Sequence, residues 1–172
     1  MIYPNGHIDY LMYENGGALI GVAKVTMPPI KYKTVTATGA ALMGDVTIPL
    51  ASMIEAMTIN IEFSSVADAI VQLGTNEWHD VALYLADQYF DGVTRKEELE
   101  SIRFELSIRP TEINQGTIQT ASAADASGTY SVCKYTVYKN GAKVIDIDQF
   151  NQVHEINGVD NAALVRKAMG MM

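Results

Sequence analysis

Apolar and polar positions alternate with a period of two along most of this 172-residue chain, the spacing of strands that bury one face. Residues 8–14 and 18–26 flank Asn15-Gly16-Gly17, residue types that accept the positive φ of a tight hairpin turn. Residues 57–63 put Met57, Ile59, Ile61 and Phe63 on one face and Thr58, Asn60 and Glu62 on the other. Residues 79–89 bury one side through Val81, Leu83 and Leu85. The cleanest alternation is 101–109, where Ile102, Phe104, Leu106 and Ile108 oppose Ser101, Arg103, Glu105, Ser107 and Arg109. Residues 129–138 and 143–148 are joined through Asn140-Gly141, a strong short-range hairpin signal. The pattern predicts a mainly β protein.

Two short helices interrupt the strands. Ser65 is placed to cap the first, with Asp68 three residues on; Val66, Ala69, Ile70 and Leu73 form its apolar face and Gly74 stops it. The second runs from an Asp160 cap to about Met169, with a stripe of Leu164, Val165, Ala168 and Met169; Arg166 and Lys167 suit its C-terminal end, and Gly170 follows. Two segments fit neither period. Residues 28–50, with Pro28, Pro29 and Pro49 and few charges, are too apolar to stand free in water and read as an arm that binds a neighbour. Residues 110–128 are small and polar and read as a loop that is mobile or orders on assembly.

Composition narrows the function. Apolar residues make up 48%, enough for a core, while charged residues reach only 19%, below the roughly 25% usual for soluble domains, which suits a surface covered by copies or partners. The net charge is −8, and residues 51–100 account for all of it, with ten acids against Arg95 and Lys96. An acidic chain without a basic stripe is a poor match to nucleic-acid binding. The lone Cys133 permits no internal disulfide and, in an apolar strand, reads as a buried inert thiol. No apolar run approaches 18 residues, and the first ten residues lack the regions of a signal peptide, so no membrane anchor and a cytoplasmic origin are expected.

Signatures of catalysis are missing: the chain holds no phosphate-cradling glycine motif, no G-x-S-x-G and no H-E-x-x-H. The histidines His7, His79 and His154 are dispersed. Asp146, Asp148, His154 and Glu155 offer oxygen and nitrogen ligands, but at no recognised metal-ligand spacing, and alternate acids on a strand mark its wet face. The acids of 51–100 read as a solvated surface rather than an acid–base pair. Neither an enzyme nor a cofactor is expected. The nine methionines include Met43, Met53, Met57, Met169, Met171 and Met172 near the arm and the C-terminal helix, where adaptable side chains suit contacts that repack.

The run KYTVYKNGAKVIDIDQFNQVHEINGVDNAALVRKAMGM resembles the C-terminal end of the major tail tube protein family of contractile-tailed bacteriophages, which includes the inner-tube proteins of R-type bacteriocins. The resemblance rests on the N-G hairpin, the acidic strand ending Asp146-Ile147-Asp148, and Asn157-Gly158-Val159-Asp160 leading into a terminal helix. GVAKVTMPPI resembles the family's first hairpin and proline-bearing loop, and ATGAALMGDVTIPL its Gly- and Ala-rich arm; residues 75–128 match in strand pattern only.

The resemblance implies one domain over 1–172, an antiparallel β-sandwich or barrel with two short helices and a long extended arm. It implies homohexameric rings whose inner strands join into a continuous β-barrel and stack head to tail into a hollow tube. Its partners would be itself, a sheath, a tape-measure protein and a baseplate, with assembly in the bacterial cytoplasm before incorporation into a virion tail or a released bacteriocin. The stacking arm would use Pro28, Pro29, Tyr32, Gly39, Leu42 and Met43. Some of Glu55, Glu62, Asp80, Asp87, Glu100 and Glu105 are expected to line the bore and repel phosphates. Two alternatives stand beside this reading. A small β-barrel module that binds a ligand or peptide would be a stable monomer with a concave apolar pocket; a secreted-tube protein of a cell-borne injection system would share the ring but not the NGVD-helix signature.

Overall fold

A computed structural model describes residues 2–14, 16–39, 43–63, 68–122 and 125–171. Asn15 of the first predicted turn, Leu42 of the arm, and Ser65 and Val66 of the first predicted helix lie outside the described residues. The elements run β1 (Ile2–Glu14), β2 (Ala18–Ile20), β3 (Val22–Thr26), β4 (Tyr32–Ala37), β5 (Val46–Ile54), β6 (Met57–Phe63), α1 (Ala69–Gln72), β7 (His79–Asp91), β8 (Lys96–Asn114), β9 (Ser127–Lys139), β10 (Ala142–Asp148), β11 (Val153–Ile156), β12 (Val159–Asp160) and α2 (Ala163–Ala168). All described strand pairings are antiparallel.

The alternating segments become strands because each has an apolar face to hide. In β6, Met57, Ile59, Ile61 and Phe63 are buried while Thr58, Asn60 and Glu62 face outward. They pack with Met12, Ile20, Val81, Leu106, Ile108, Tyr130, Val132 and Ile147 in one core. The main sheet runs β12-β11-β10-β9-β8-β7-β1-β2, with β6 on β9 and β3 on β6. The predicted strand 18–26 is two strands, broken at Gly21. Its first part pairs with β1 and its second with β6. The path β1-β7-β8-β9-β6-β3 therefore returns to β1 through the chain at Gly21, and the core lies inside that circuit.

β9 holds the two parts of the sheet together. Residues 127–132 pair with β6 and residues 134–139 with β10, while β8 lies along the other edge. Between the halves sits Cys133, an extra residue: Ser107 faces Lys134, and the next residue, Ile108, faces Val132. This bulge shifts the side-chain parity by one, so Tyr130 and Val132 before it and Tyr135 and Val137 after it all stay buried. Cys133 is half-buried, its thiol donates to the Ser107 carbonyl at 3.7 Å, and burial pushes its pKa up.

Several boundaries move. The predicted loop 110–128 is shorter, because β8 continues past Pro110 to Asn114 and β9 begins at Ser127. Pro110 lacks a ladder donor, and the register shifts just beyond it, at Thr111, whose hydroxyl donates to the Thr129 carbonyl at 2.9 Å. Strands β11 and β12 were not predicted. Helix α1 is a single turn capped by Asp68 without a side-chain hydrogen bond, and it plugs the core with Ile70 and Leu73. In α2 the cap residue is Ala162 rather than Asp160. Leu164, expected on the packed stripe, is 81% exposed.

A polar network fixes α1 to the sheet. Glu14 on β1 and His79 on β7 are both buried, and His79 Nδ1 lies 2.5 Å from Glu14 Oε1. His79 Nε2 lies 3.0 Å from the Thr75 hydroxyl and 3.1 Å from the Thr75 carbonyl, while Gln72 of α1 donates to Glu14 Oε2. Replacing His79 by Phe strips the buried Glu14 carboxylate of its imidazole partner and leaves it the Gln72 amide, and the expected loss is about 3 kcal/mol in urea denaturation. Adding Glu14→Met to that variant is expected to recover most of the loss, because removing both partners leaves no unpaired charge.

Candidate assembly surfaces

The arm is a β-hairpin. Strands β4 and β5 form their own two-stranded sheet, separate from the ten-stranded one. Val35 pairs with Ile48 and Ala37 with Val46, which gives one apolar face; Thr34 pairs with Pro49 and Thr36 with Thr47, which gives a polar one. Val35, Val46 and Ile48 are about half exposed, at 51%, 47% and 49%. A two-stranded hairpin is marginal on its own in water, so this apolar face calls for more cover than the described residues of the subunit supply.

Of the predicted arm contacts, Pro28 is buried and Tyr32 half-buried at the arm's root, whereas Gly39 and Met43 are exposed towards its tip. The arm also runs further than the predicted 28–50, to Ile54. The residues that make it amphipathic, Val35, Val46 and Ile48, were missed as contacts, although the alternation in KTVTA and VTI carries the signal.

The root is held by His154 on β11. The Tyr32 hydroxyl of β4 lies 3.2 Å from His154 Nε2, and Ser52 Oγ of β5 lies 3.2 Å from Nδ1. One imidazole thus grips both strands of the arm. Ser52 has φ 56, a left-handed conformation uncommon for a residue with a Cβ. The Glu55 amide donates to the Lys31 carbonyl at 2.8 Å, closing the hairpin, and Gln149 Nε2 donates to the Glu55 carbonyl at 3.2 Å. Beside the grip lies a cavity of about 280 Å³ bounded by Ser52, Met53, His154, Ala162, Val165 and Met169. Burial lowers the His154 pKa, with the Asp160 carboxylate pulling the other way.

The C-terminal motif is a brace. Asn157 (φ 50) and Gly158 (φ 77) both have positive φ, as a tight two-residue turn needs, and they join β11 to β12. The Asp160 carboxylate accepts the Ala162 amide at 3.0 Å and pairs with Arg166, which lowers its pKa; Arg166 Nη1 also donates to the Gln152 carbonyl at 2.8 Å. Val159 is exposed. The residues weighed as metal ligands are split: Asp146 pairs with Glu155 in register, whereas His154 pairs with the buried Ile147 on the other face.

The six candidate bore acids do not share a surface. Glu55 lies at the arm root, and Glu62 on β6 pairs with Lys24 at 3.1 Å. The β7–β8 register is unbroken from His79↔Ile108 to Asp91↔Lys96. Asp80 and Glu105 therefore face away from the core, while Asp87 and Glu100, directly opposite one another, continue the core-side face. Each of the latter has a cationic or imidazole partner, His7 at 2.6 Å from Asp87 and Lys139 at 3.0 Å from Glu100. One face can line a bore, so at most one of these two pairs does. The face of Asp80 and Glu105 also carries Arg103, Arg109 and Lys134, and its charge is mixed rather than uniformly acidic.

Comparison with known proteins gives a consistent answer. The model of the family described as phage tail tube protein FII matches residues 8–170. The tail tube protein of Escherichia phage P2 is 23% identical over 167 residues, covering 93% of this chain and 94% of that protein. Among solved structures, the sheath/tube terminator of an extracellular contractile injection system, PVC, shares 12% identity at a TM-score of 0.53, over 75% of this chain and 92% of that one. A chain of the PVC sheath–tube complex in the extended state gives 14% and 0.52, and one of the tube-terminating cap of the anti-feeding prophage 13% and 0.53, each over 75% of this chain and 87% of the other. These structural likenesses extend the agreement in fold.

The arm's grip is expected to depend on pH. The docked ring is held below the ordinary value of 6.5, so docking binds fewer protons than the released arm. Its stabilisation is complete above pH 6.5 and is lost as the pH falls through 6.5 towards the lowered value. Hydrogen exchange of the β4 and β5 amides, corrected for intrinsic rate, is expected to be faster at pH 5 than at pH 7. In His154→Gln that difference should vanish while the core amides stay protected.

Proposed function

The chain belongs to the family of phage tail tube protein FII and is a structural tube subunit, and on that premise we propose that six copies close into a ring and that rings stack head to tail into a hollow tube. The observation that carries this reading is the amphipathic hairpin, whose apolar face stays half exposed among the described residues of its own subunit. Sheet edges add support. Among the described residues β1 from Ile2 to Leu11 pairs only with β7, as does β8 from Lys96 to Glu100. Such edges invite pairing with another chain, and joining them around a ring makes the continuous inner β-barrel.

The bore is lined by the outward face of β7, β8 and β9, since the opposite face of those strands is taken by the core. Asp80, Tyr84, Glu105, Ser107 and Lys134 stand on it, a largely polar surface of mixed charge that faces the DNA or ions that pass. A sheath surrounds the tube, a reading supported by the sheath–tube complex among the relatives. A baseplate starts the tube and a tape-measure protein sets its length, because a heterologous stack does not close on itself. Assembly takes place in the bacterial cytoplasm, and the finished tube belongs to a virion tail or a released bacteriocin. The subunit performs no catalysis and takes no cofactor.

Negative-stain microscopy and sedimentation velocity across a concentration series test this. Rings with a central hole, or tubes, are expected. Monomers at every concentration, even with baseplates added as seeds, would overturn the reading and leave a monomeric binding module in its place. Replacing residues 33–50 by a short glycine-rich turn should retain the β circular-dichroism spectrum and lose stacking; normal tubes from that variant would remove the arm from the assembly.

A further inference from the structure

Two Asn-Gly pairs stand in exposed two-residue turns, Asn140-Gly141 between β9 and β10 and Asn157-Gly158 between β11 and β12. We propose that Asn157 is a site of spontaneous deamidation in the folded protein, and that Asn140 is protected from the same reaction by its hydrogen bonds to β8. The site needs only the fold of one subunit and stands whether or not copies assemble.

The chemistry takes place within the chain. The Gly158 nitrogen attacks Asn157 Cγ, a bond forms between them, and the Cγ–Nδ2 bond breaks. Nδ2 leaves as ammonia, carrying the proton of the glycine amide, and a five-membered succinimide ring remains. Water opens the ring at the side-chain carbon to give aspartate. Opening at the main-chain carbon gives isoaspartate, in which the backbone runs through Cγ and is one carbon longer. The rate depends on a free glycine amide and on an asparagine side chain free to turn onto it. Glycine suits the attack because it has no side chain to hinder the approach.

Turn geometry fixes the residue pair at both places. Asn140 and Asn157 have φ 49 and 50, and Gly141 and Gly158 have φ 82 and 77. Nothing lies within 4 Å of where a Cβ would stand on either glycine, so the positive φ rather than crowding calls for glycine there. Exposure does not separate the two sites, since all four residues are exposed. The asparagine side chains do. Asn140 Oδ1 accepts the Ser101 amide at 3.1 Å, and Nδ2 donates to the Glu100 carboxylate at 3.0 Å. Turning that side chain onto Gly141 breaks both bonds. The Asn157 side chain has no hydrogen-bond partner among the described residues, and its main-chain amide donates to the Val144 carbonyl at 2.8 Å. The Gly158 amide donates to none of the described residues.

The product acts on the brace. Strand β12 is only Val159–Asp160, paired through Ile156↔Val159 and Glu155↔Asp160, so a lengthened turn pulls directly on a two-residue strand. That strand carries the Asp160 carboxylate that pairs with Arg166 of α2. Isoaspartate at 157 therefore loosens α2, whereas aspartate, which leaves the backbone unaltered, does not.

Peptide mapping by mass spectrometry tests this on the full-length protein aged in mildly alkaline buffer, with an isoaspartate-specific methyltransferase to mark the isoaspartate. Asn157 is expected to convert more than about tenfold faster than Asn140, because two hydrogen bonds must break before Asn140 can react. In urea, where neither side chain is held, the two rates are expected to converge. Glu100→Ala, which removes one of the two holds, should speed Asn140 and leave Asn157 unchanged. Equal rates in the folded protein, faster loss at Asn140, or no conversion of Asn157 would each overturn the proposal. A difference that persists in urea would place its cause in the flanking residues and overturn it as well. In the isoaspartate-bearing fraction the α2 amides are expected to exchange faster than in unaged protein, while Asn157→Asp should match unaged protein. Equal protection in all three would overturn the effect on the brace.

Discussion

The extra residue at Cys133 is the constraint on which the rest of the fold turns. One edge of β9 serves two strands, β6 up to Val132 and β10 from Lys134 onward. Without the bulge, the alternation of the first half would carry Tyr135 and Val137 to the outer face, because a one-residue slip exchanges the two faces of a strand. With it, both halves bury their apolar side chains in one core. The fork created there sends β6 and β3 around to meet β2. It also sends β10 and β11 out to the place where His154 can hold the arm. Closure of the core and anchorage of the assembly element thus depend on the same local irregularity.

Much of this was legible in the sequence, and the failures have physical causes. Strands such as β6 declare themselves because they are buried on one face only. The Asn140-Gly141 turn was visible because its residue types suit positive φ, and both residues adopt it, whereas the turn at Asn157-Gly158 was not read as one. Even the bulge has a trace: Val132 and Tyr135 are three apart in a run otherwise spaced by two. Strands β11 and β12 are too short, and too mixed in polarity, for a period to show. Pro110 pointed to a strand end because it removes a ladder donor, yet the strand absorbs it by shifting register at Thr111. Tertiary partners decided the rest. Nothing local to His154, Tyr32 or Ser52 signals that they converge, since they lie on three strands far apart in the chain.

The two buried histidines show how one residue type serves two purposes. His79 meets a carboxylate inside the core and ties α1 to β1 and β7, so its loss would strand a charge. His154 meets the Tyr32 and Ser52 hydroxyls, and burial favours its neutral form. The first arrangement locks an element permanently. The second holds an element that must keep its own apolar face open, and it holds that element at the root rather than along its length. A grip confined to the root fixes the direction of the hairpin and leaves Val35, Val46 and Ile48 available.

The low charge content now has a structural explanation. A chain with 19% charged residues leaves long stretches of its surface uncharged. Here those stretches are the hairpin face, Val71 on α1 and the outer side of α2, where Leu164 stands in solvent. Scattered apolar residues on a monomer need no explanation, but these lie on separate elements that the subunit leaves uncovered. Apolar surface that one copy leaves open on separate elements is surface that further copies have to bury, so the sparse charge and the proposed self-assembly have one cause, where the chain puts its apolar side chains.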